Sequence, residues 1–473
     1  MSSYHGRTSL PRRFCLVLSS FMQATGLAFA HVLSEEQIQQ AFDQEGVAFA
    51  DDEDDIYTPA LTLWAFLSQV LFKKELRSCL AAVSRVIVLL VVLERKPCVK
   101  NSGPYCRARA KLSEPVIKRL TLDVARGCEC EVPRSWLWHG RHVKLVDGTT
   151  VSMPDTPANQ AEYPQQTQQE EGLGFPIART VVLMSLATAM LCGMAIGPYA
   201  GKETGEMALF RKLLDELDPG DIVLADRYFC SYFMIAMLLA KGVDIVSRLH
   251  QCRKEDCQGV RRFDKHDWLV QWERPAKPDW MDQETYESMP KSMTLRQIEV
   301  HVNQPGFRVE SFIAVTTLTD AKKYPKEEIA ELYHKRWLVE LDIRAIKVTM
   351  GMDVLRCKTP QMVRKEMWTC LLAYNLIRKT MLQAAAKSGL SPRQLSFTTA
   401  LQTVAASWMI LPTHGSHVAI LVAVQLDSLT AKLVGNRPNR IEPRAVKRRP
   451  KPHKLLTKTR DEARAELLAG KAK

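Results

Sequence analysis

Twenty consecutive residues, 181–200, carry no charged side chain, and this run limits the possible folds more than any other segment. A run of this length can cross a lipid bilayer as a single helix. However, its β-branched residues are clustered, and Ser185, Gly193 and Gly197 interrupt it, as in two buried strands joined by a turn. The segment alone leaves both interpretations open, so the surrounding sequence has to decide.

The composition of the 473-residue chain is that of an ordinary globular protein, with 46% hydrophobic and 25% charged residues. It excludes a disordered, collagen-like or disulfide-knotted chain, and the length predicts about two to four domains. The 65 Lys and Arg exceed the 52 Asp and Glu, so the net charge is +13. Such a basic chain favours a polyanionic partner, either nucleic acid or an anionic membrane surface.

The excess positive charge is concentrated in two blocks. Residues 70–140 contain 14 Lys and Arg against 6 Asp and Glu, and residues 437–473 contain 13 against 4. The alternative is that these blocks have no binding role, the first being an ordinary solvated surface and the second a tail that only keeps the protein soluble. Because Pro438, Pro443 and Pro450 prevent a continuous helix in its first half, we expect residues 437–473 to form a basic flexible tail.

Cysteine usage is typical of a reducing compartment. Twelve Cys are scattered along the chain, several of them inside apolar runs, as expected of buried thiols in a cytosolic protein. His250, Cys252, Cys257 and His266 could in principle hold zinc, but no pair has the C-x₂-C spacing of common structural sites. We therefore do not expect these four residues to form a zinc site.

The N-terminus has some features of a secretory signal peptide. Arg12 and Arg13 precede an apolar run, and residues 28–30 have the small-x-small form of a cleavage site. Polar residues interrupt the run, however. We expect residues 1–35 to be an N-terminal extension, helical or not part of the functional protein, rather than a signal.

From residue 142 the hydrophobic pattern changes from helical to alternating. A strand at 143–147, followed by a turn at Gly148, ends in Asp147, and a strand at 221–226 ends in Asp226. With the neighbouring predicted helices and strands, these give a mixed α/β sheet. The predicted domains are an N-terminal extension (1–35), a helical DNA-binding domain (36–140), a core in two parts (141–249 and 311–385), a β-rich insertion (250–310), a C-terminal helical region (386–436) and the basic tail (437–473).

Three acids are the candidates for chemistry. Asp147 and Asp226 each end an apolar strand face, where an ionised acid needs a partner such as a divalent metal ion. The third acid, Glu340, lies on a predicted helix.

At about 100° per residue, Tyr333, Arg336, Glu340 and Lys347 fall within an arc of about 60° on that helix. This stripe is suited to a metal ion and phosphates. The alternative is an ordinary amphipathic helix stabilised by an Arg336–Glu340 pair.

The spacing Tyr-x₂-Arg-x₃-Glu-x₆-Lys resembles the signature of the DDE transposases of insertion-sequence family four, which Tyr333, Arg336, Glu340 and Lys347 fit without a gap. The sequence Asp-Gly-Thr at 147–149 is similar to the first-Asp motif of that family.

The sequence Asp-Arg-Tyr at 226–228 is similar to the family's second-Asp motif. Segments 153–156, 201–206 and 374–378 are similar as well, and the resemblance covers about residues 55–400.

This resemblance implies an RNase H-like core interrupted by a β-rich insertion, with residues 181–200 forming a buried β2–β3 hairpin. It implies that Asp147, Asp226 and Glu340 are catalytic and hold two Mg²⁺ ions, for which Mn²⁺ can substitute. The implied activity is binding of the ends of an insertion sequence, followed by metal-dependent DNA cleavage and strand transfer. A catalytically inactive, transposase-derived DNA-binding protein is the alternative, but the presence of all three acids argues against it.

The resemblance also implies specific partners. Tyr333, Arg336 and Lys347 would contact DNA phosphates, and Phe312 stands where some relatives have a Trp that holds a flipped base. The expected partners are the terminal inverted repeats and target DNA, bound by a homodimer in a synaptic complex, without a membrane. The expected location is the cytoplasm, at the bacterial nucleoid.

Overall fold

The computed structural model describes residues 14–24, 26–46, 49, 56–253, 261–301, 311–411, 418–431, 433–434 and 457–469. The chain divides into two compact units, each assembled from separate stretches. The first unit contains Met1–Gly140, Met184–Gly193 and Glu340–Gly435, and the second contains Arg141–Leu183, Met194–Val339 and Asn436–Lys473.

The described residues form both helices and strands. The helices are α1 (Cys15–Ser20), α2 (Glu35–Gln44), α3 (Pro59–Leu71), α4 (Cys79–Val92), α5 (Gly103–Lys111), α6 (Glu114–Cys130), α7 (Pro157–Glu162), α8 (Glu206–Arg211), α9 (Tyr232–Ala240), α10 (Gln283–Ser288), α11 (Lys326–His334), α12 (Leu338–Arg344), α13 (Pro360–Ser388), α14 (Phe397–Ser407), α15 (Val418–Thr430) and α16 (Arg460–Leu468). The strands are β1 (Val143–Ser152), β2 (Ile177–Ser185), β3 (Leu191–Pro198), β4 (Ile222–Ala225), β5 (Asp244–Arg248), β6 (Arg261–Asp264), β7 (Asp267–Glu273), β8 (Ser292–His301) and β9 (Ser311–Thr316). Among the described residues, no helix combines the length and apolar character that crossing a bilayer requires.

The first unit is organised around α13, whose residues 365–385 are all buried. The side-chain amide of Asn375 on this helix donates to the carbonyl oxygens of Thr121 on α6 and Leu191 on β3, at 2.9 and 3.0 Å. Its oxygen accepts the N–H of Leu191 at 2.9 Å. One amide thus satisfies backbone groups of two other segments, which would be costly to leave unpaired in a core.

The described part of the N-terminal extension belongs to the core of this unit. Trp64 donates from Nε1 to the hydroxyl of Ser20 at 2.9 Å. The ring of Phe21 packs edge-on against Trp408, with centroids 5.3 Å apart. Helix α1 therefore packs as a structural element of the first unit.

The strands form one nine-stranded sheet in the order β3-β2-β1-β4-β5-β9-β8-β7-β6. Strands β1 and β4 are parallel, as are β4 and β5, whereas β9 runs antiparallel to β5. This mixed sheet with helical flanks is the RNase H-like fold expected from the sequence. The uncharged run at 181–200 lies in the β2–β3 hairpin, as the resemblance implied.

The β-rich segment after β5 extends the same sheet through pairing of β8 with β9. Arg296 on β8 is fully buried and forms a bidentate pair with Asp267, with Nε–Oδ1 and Nη2–Oδ2 distances of 2.7 and 2.5 Å. Its Nη1 also donates to the carbonyl oxygen of Tyr324 at 2.7 Å. The pair offsets the cost of removing both charges from water. The bond to Tyr324 links this β-rich segment to the chain that follows β9.

The predicted flexible arm is only partly within the described residues. Positions 435–456 and 470–473 lie outside them. Residues 460–468 form α16, capped by Thr459, whose hydroxyl accepts the N–H of Glu462. A short helix is therefore present near the end of the chain.

Candidate active site

Two of the three predicted acids are carried by neighbouring parallel strands of the second unit: Asp147 lies within β1, and Asp226 directly follows β4. Val143, Lys144 and Leu145 of β1 lie beside Ile222, Val223 and Leu224 of β4. Continuing this register by two residues brings Asp147 alongside Asp226, and adjacent strands are about 4.8 Å apart. Both aspartates are half-buried. The sheet thus places two carboxylates on one face at one edge of an apolar core.

Local hydrogen bonds orient both carboxylates. Oδ1 of Asp147 accepts the N–H of Gly148 at 2.8 Å. Oδ1 of Asp226 accepts the N–H of Tyr228 at 2.8 Å and so caps the short 3₁₀ turn Arg227–Phe229. A carboxylate that accepts a backbone N–H is restricted to few rotamers, so both carboxylates are held in place locally.

The predicted turn at Gly148 is wrong, because β1 continues through this residue to Ser152. Glycine is required at this position because a larger residue would overlap the side chain of Glu206. A Cβ at position 148 would lie 2.2 Å from both Cδ and Oε1 of Glu206, so the Glu206 carboxyl group rests directly on the glycine backbone.

Glu206 is a third carboxyl group at this edge, and sequence reasoning missed its role. The residue begins α8 and was noticed only as the end of the similar segment 201–206. Only the fold reveals that Glu206 lies against Gly148 and close enough to Asp226 to be affected by its charge.

Burial raises the pKa of Glu206 above its usual value, the charge of Arg179 opposes this shift, and the charge of Asp226 adds to it. The ionised forms of neighbouring carboxyl groups are destabilised by mutual repulsion unless they share a cation or a proton. All-oxygen donor sets of this kind fit a hard divalent cation such as Mg²⁺.

An aromatic pair flanks Asp226. The ring centroids of Phe312 and Tyr333 are 5.0 Å apart, and the Arg248 guanidinium lies 5.4 Å from the Phe312 centroid. Tyr333 is buried, with 9% of its surface exposed. The pKa of Tyr333 is raised to about 12, chiefly by burial; the charge of Arg336 opposes this rise and the charge of Asp226 adds to it. The phenol is therefore protonated at neutral pH and can donate a hydrogen bond.

The predicted single helix at 333–347 is wrong in detail. Helix α11 ends at His334, a 3₁₀ turn covers Lys335–Trp337, α12 follows, and a π-helical turn covers Ala345–Thr349. The constant 100° per residue assumed from the sequence does not apply across these turns. The 60° arc is thus a property of the ideal helix and not of this one.

The other two predicted residues lie in the first unit, which begins again at Glu340. Glu340 is exposed on α12. Lys347 lies in the π-helical turn, where burial lowers its pKa and Asp353 opposes that shift. π-helical turns often occur at functional sites. Among the site residues predicted from sequence, Asp147, Asp226, Phe312, Tyr333 and Arg336 are those that belong to the second unit.

Comparison with known proteins gives consistent matches. A family model described as "Transposase DDE domain" matches residues 138–376. The transposase InsG for insertion sequence element IS4 of Escherichia coli (strain K12) is 26% identical over 396 residues, which cover 82% of this chain and 85% of InsG. Among solved structures, a piggyBac transposase synaptic complex with hairpin DNA aligns with 88% of this chain and 85% of that chain, at 9% identity and a TM-score of 0.41.

Proposed function

Because the chain belongs to the family of transposases with a DDE domain, we propose that it binds the ends of an insertion sequence and carries out metal-dependent DNA cleavage and strand transfer. The observation that supports this most directly is the placement of Asp147 within β1 and of Asp226 directly after the neighbouring parallel strand β4. The proposal extends to cut-and-paste transposition, since the family-four signature is complete in this chain.

In the proposed site, Asp147, Asp226 and Glu340 bind two Mg²⁺ ions, and Mn²⁺ can substitute. Glu340 is assigned as the third ligand by its place in the Tyr333-to-Lys347 pattern. When bound, the ions activate the attacking oxygen and stabilise the leaving 3′-oxygen of the DNA. The aspartates hold their positions through the backbone bonds to Gly148 and Tyr228.

The other residues of the motif contact the DNA in this proposal. Tyr333, Arg336 and Lys347 contact phosphates, as charged and polar groups do in most protein–DNA complexes. Tyr333 does so through its protonated phenol, which can donate a hydrogen bond. Phe312 stacks on an extruded base, without the indole N–H that a Trp would offer.

The DNA partners proposed are the terminal inverted repeats and the target, bound by a homodimer. The block of positive charge at 70–140 supports the helical region as the part that contacts the ends, through phosphate contacts and a helix in a groove.

The test uses the full-length protein and duplexes that carry the short inverted repeats flanking its gene. We expect Asp147→Ala, Asp226→Ala and Glu340→Ala each to reduce Mg²⁺-dependent cutting to background while DNA binding is retained. Asp215→Ala is the matched control, because Asp215 lies in the second unit and its side chain is 96% exposed in a surface pair with Lys241. Full cleavage by any of the three variants would refute the assignment.

A further inference from the structure

A second cluster of possible metal ligands lies in the β-rich segment and includes none of the proposed catalytic residues. His266 occupies the turn between β6 and β7, and Glu299 and His301 lie on β8. The N–H of Glu299 donates to the carbonyl oxygen of His266 at 2.9 Å, next to the paired residues Asp267 and Ile298. Since residues i and i+2 of a strand share a face, the sheet presents all three side chains together.

The three side chains are already close enough to share an ion. Nδ1 of His266 lies 2.6 Å from Oε2 of Glu299, and Nε2 of His301 lies 3.7 Å from Oε1 of the same carboxylate. One ligand atom from each residue lies within 4.8 Å of the other two. The imidazole rings are 5.2 Å apart and nearly perpendicular, at 83°. Bonds of about 2.0–2.2 Å from each atom to one ion therefore require side-chain rotation without movement of the strands.

The neighbouring acid is already engaged elsewhere. Asp264 accepts the N–H of His266 through Oδ1, at 2.7 Å, and pairs with Lys326 through Oδ2. This arrangement fixes the turn that carries His266. It also leaves Glu299 as the carboxylate facing the two imidazoles.

From this geometry we infer that His266, Glu299 and His301 form a binding site for a late first-row divalent metal ion, with Zn²⁺ as the best match. Two imidazoles and one carboxylate are a donor set for Zn²⁺, Co²⁺ or Ni²⁺, whereas Mg²⁺ prefers oxygen ligands. The bound ion joins the β6–β7 turn to β8. The site does not depend on the proposed function and uses none of its residues.

The test is a Co²⁺ titration of full-length protein prepared without a polyhistidine tag. Every sample carries Asp147→Asn and Asp226→Asn, which remove Co²⁺ binding at the proposed catalytic carboxylates. We expect one equivalent of Co²⁺ to produce visible d–d absorption, without thiolate-to-cobalt charge transfer, and Zn²⁺ to displace it. His301→Ala should weaken binding by at least about tenfold, and this side chain is 50% exposed, so the variant should fold.

His31→Ala is the matched control. Its imidazole also contacts a glutamate, with Nε2 2.7 Å from Oε1 of Glu131, but the side chain is 80% exposed and lies in the first unit. This variant should bind Co²⁺ as the parent does, and Zn²⁺ should raise the thermal midpoint of both but not that of His301→Ala. Absence of stoichiometric binding, binding that survives His301→Ala, or a thiolate charge-transfer band would each overturn the inference.

Discussion

Arg378 on α13 donates from Nη2 to Oδ1 of Asp342 at 3.0 Å, and Asp342 stands two residues after Glu340 on α12. Arg393 donates from Nη2 to Oδ2 of the same carboxylate at 2.9 Å. Asp342 is 1% exposed, so two arginines compensate a fully buried charge within the first unit. The contact gives Arg378, the last residue of the similar segment 374–378, a physical role: it fixes the helix that carries Glu340.

Asp342→Ala should destabilise the protein by about 3–5 kcal/mol, since removing one partner of a buried ion pair leaves uncompensated charge. The free energy of unfolding from chemical denaturation measures this effect. Asp427→Ala is the control in the same unit, because Asp427 forms an exposed pair with Lys387. Its cost should be below about 1 kcal/mol. Equal losses for the two variants would contradict the role given to Asp342.

Gly148→Ala should displace Glu206 while leaving the fold intact, because the atoms that a new Cβ would meet are at the far end of the Glu206 side chain. We expect DNA cleavage to fall roughly tenfold or more, because a displaced Glu206 disturbs the surroundings of the proposed catalytic carboxylate Asp226, with little change in the thermal midpoint. Gly205→Ala is the control, since its Cβ would lie 3.6 Å from the Tyr228 hydroxyl, an ordinary contact.

A double-mutant cycle tests whether this effect acts through the carboxyl group. If displacement of Glu206 is the cause, Gly148→Ala should add nothing to the cleavage defect of Glu206→Ala. Additive defects in the double variant would mean that the glycine acts on β1 itself.

The sequence predicted the parts of this structure that depend on local pattern. Apolar alternation located the strand that carries Asp147 and the strand that precedes Asp226. The pattern of the uncharged run at 181–200 left a membrane helix and two buried strands open, and only the family resemblance favoured the hairpin. The turn predicted at Gly148 is wrong because a glycine after a strand usually marks a turn, whereas here the missing side chain leaves room for Glu206. That contact joins residues 58 positions apart, which no local pattern records.

Tertiary packing also decided what the helical pattern could not. The 3₁₀ and π turns on either side of α12 cannot be recognised from hydrophobic spacing, because the same side chains suit a regular helix.

The pair between Arg364 on α13 and Glu114 on α6, with Nε 2.9 Å from Oε2, joins segments 250 residues apart. Folding of the first unit therefore depends on both ends of the chain, and a fragment ending near residue 140 would lack α13.

The burial of Tyr333 predicts a pH dependence of stability. Its pKa is about 12 in the folded protein, against about 10 for an unfolded tyrosine. Folding raises the pKa, so this stabilisation is fully present below about pH 10 and is lost as the pH rises through about 12, by about 2–3 kcal/mol. The difference in unfolding free energy between the wild type and Tyr333→Phe should decrease by this amount across that range.

Chemical denaturation at a series of pH values measures the difference, with Tyr228→Phe as the control because that tyrosine is 46% exposed. A constant difference between wild type and Tyr333→Phe would show that the phenol is not held in its protonated form by burial.

The basic tail should strengthen DNA binding without regard to sequence. Residues 437–473 contain 13 Lys and Arg against 4 Asp and Glu, and each phosphate they neutralise releases a counterion. The logarithm of affinity then falls with the logarithm of salt concentration by about 0.9 per contact. Changing Lys447, Arg448, Arg449 and Lys451 to Gln should therefore weaken binding and make this slope shallower, by up to about 3.6.

The control keeps the charge and changes the side chains: Lys447→Arg, Arg448→Lys, Arg449→Lys and Lys451→Arg in one variant should leave the slope as in the wild type, since counterion release depends on charge. Binding to element ends and to unrelated DNA of equal length should decline in parallel in the Gln variant, because phosphate contacts carry no base information. An unchanged slope in the Gln variant would mean that the tail only solubilises the protein. A loss confined to the element ends would instead assign these residues to base recognition.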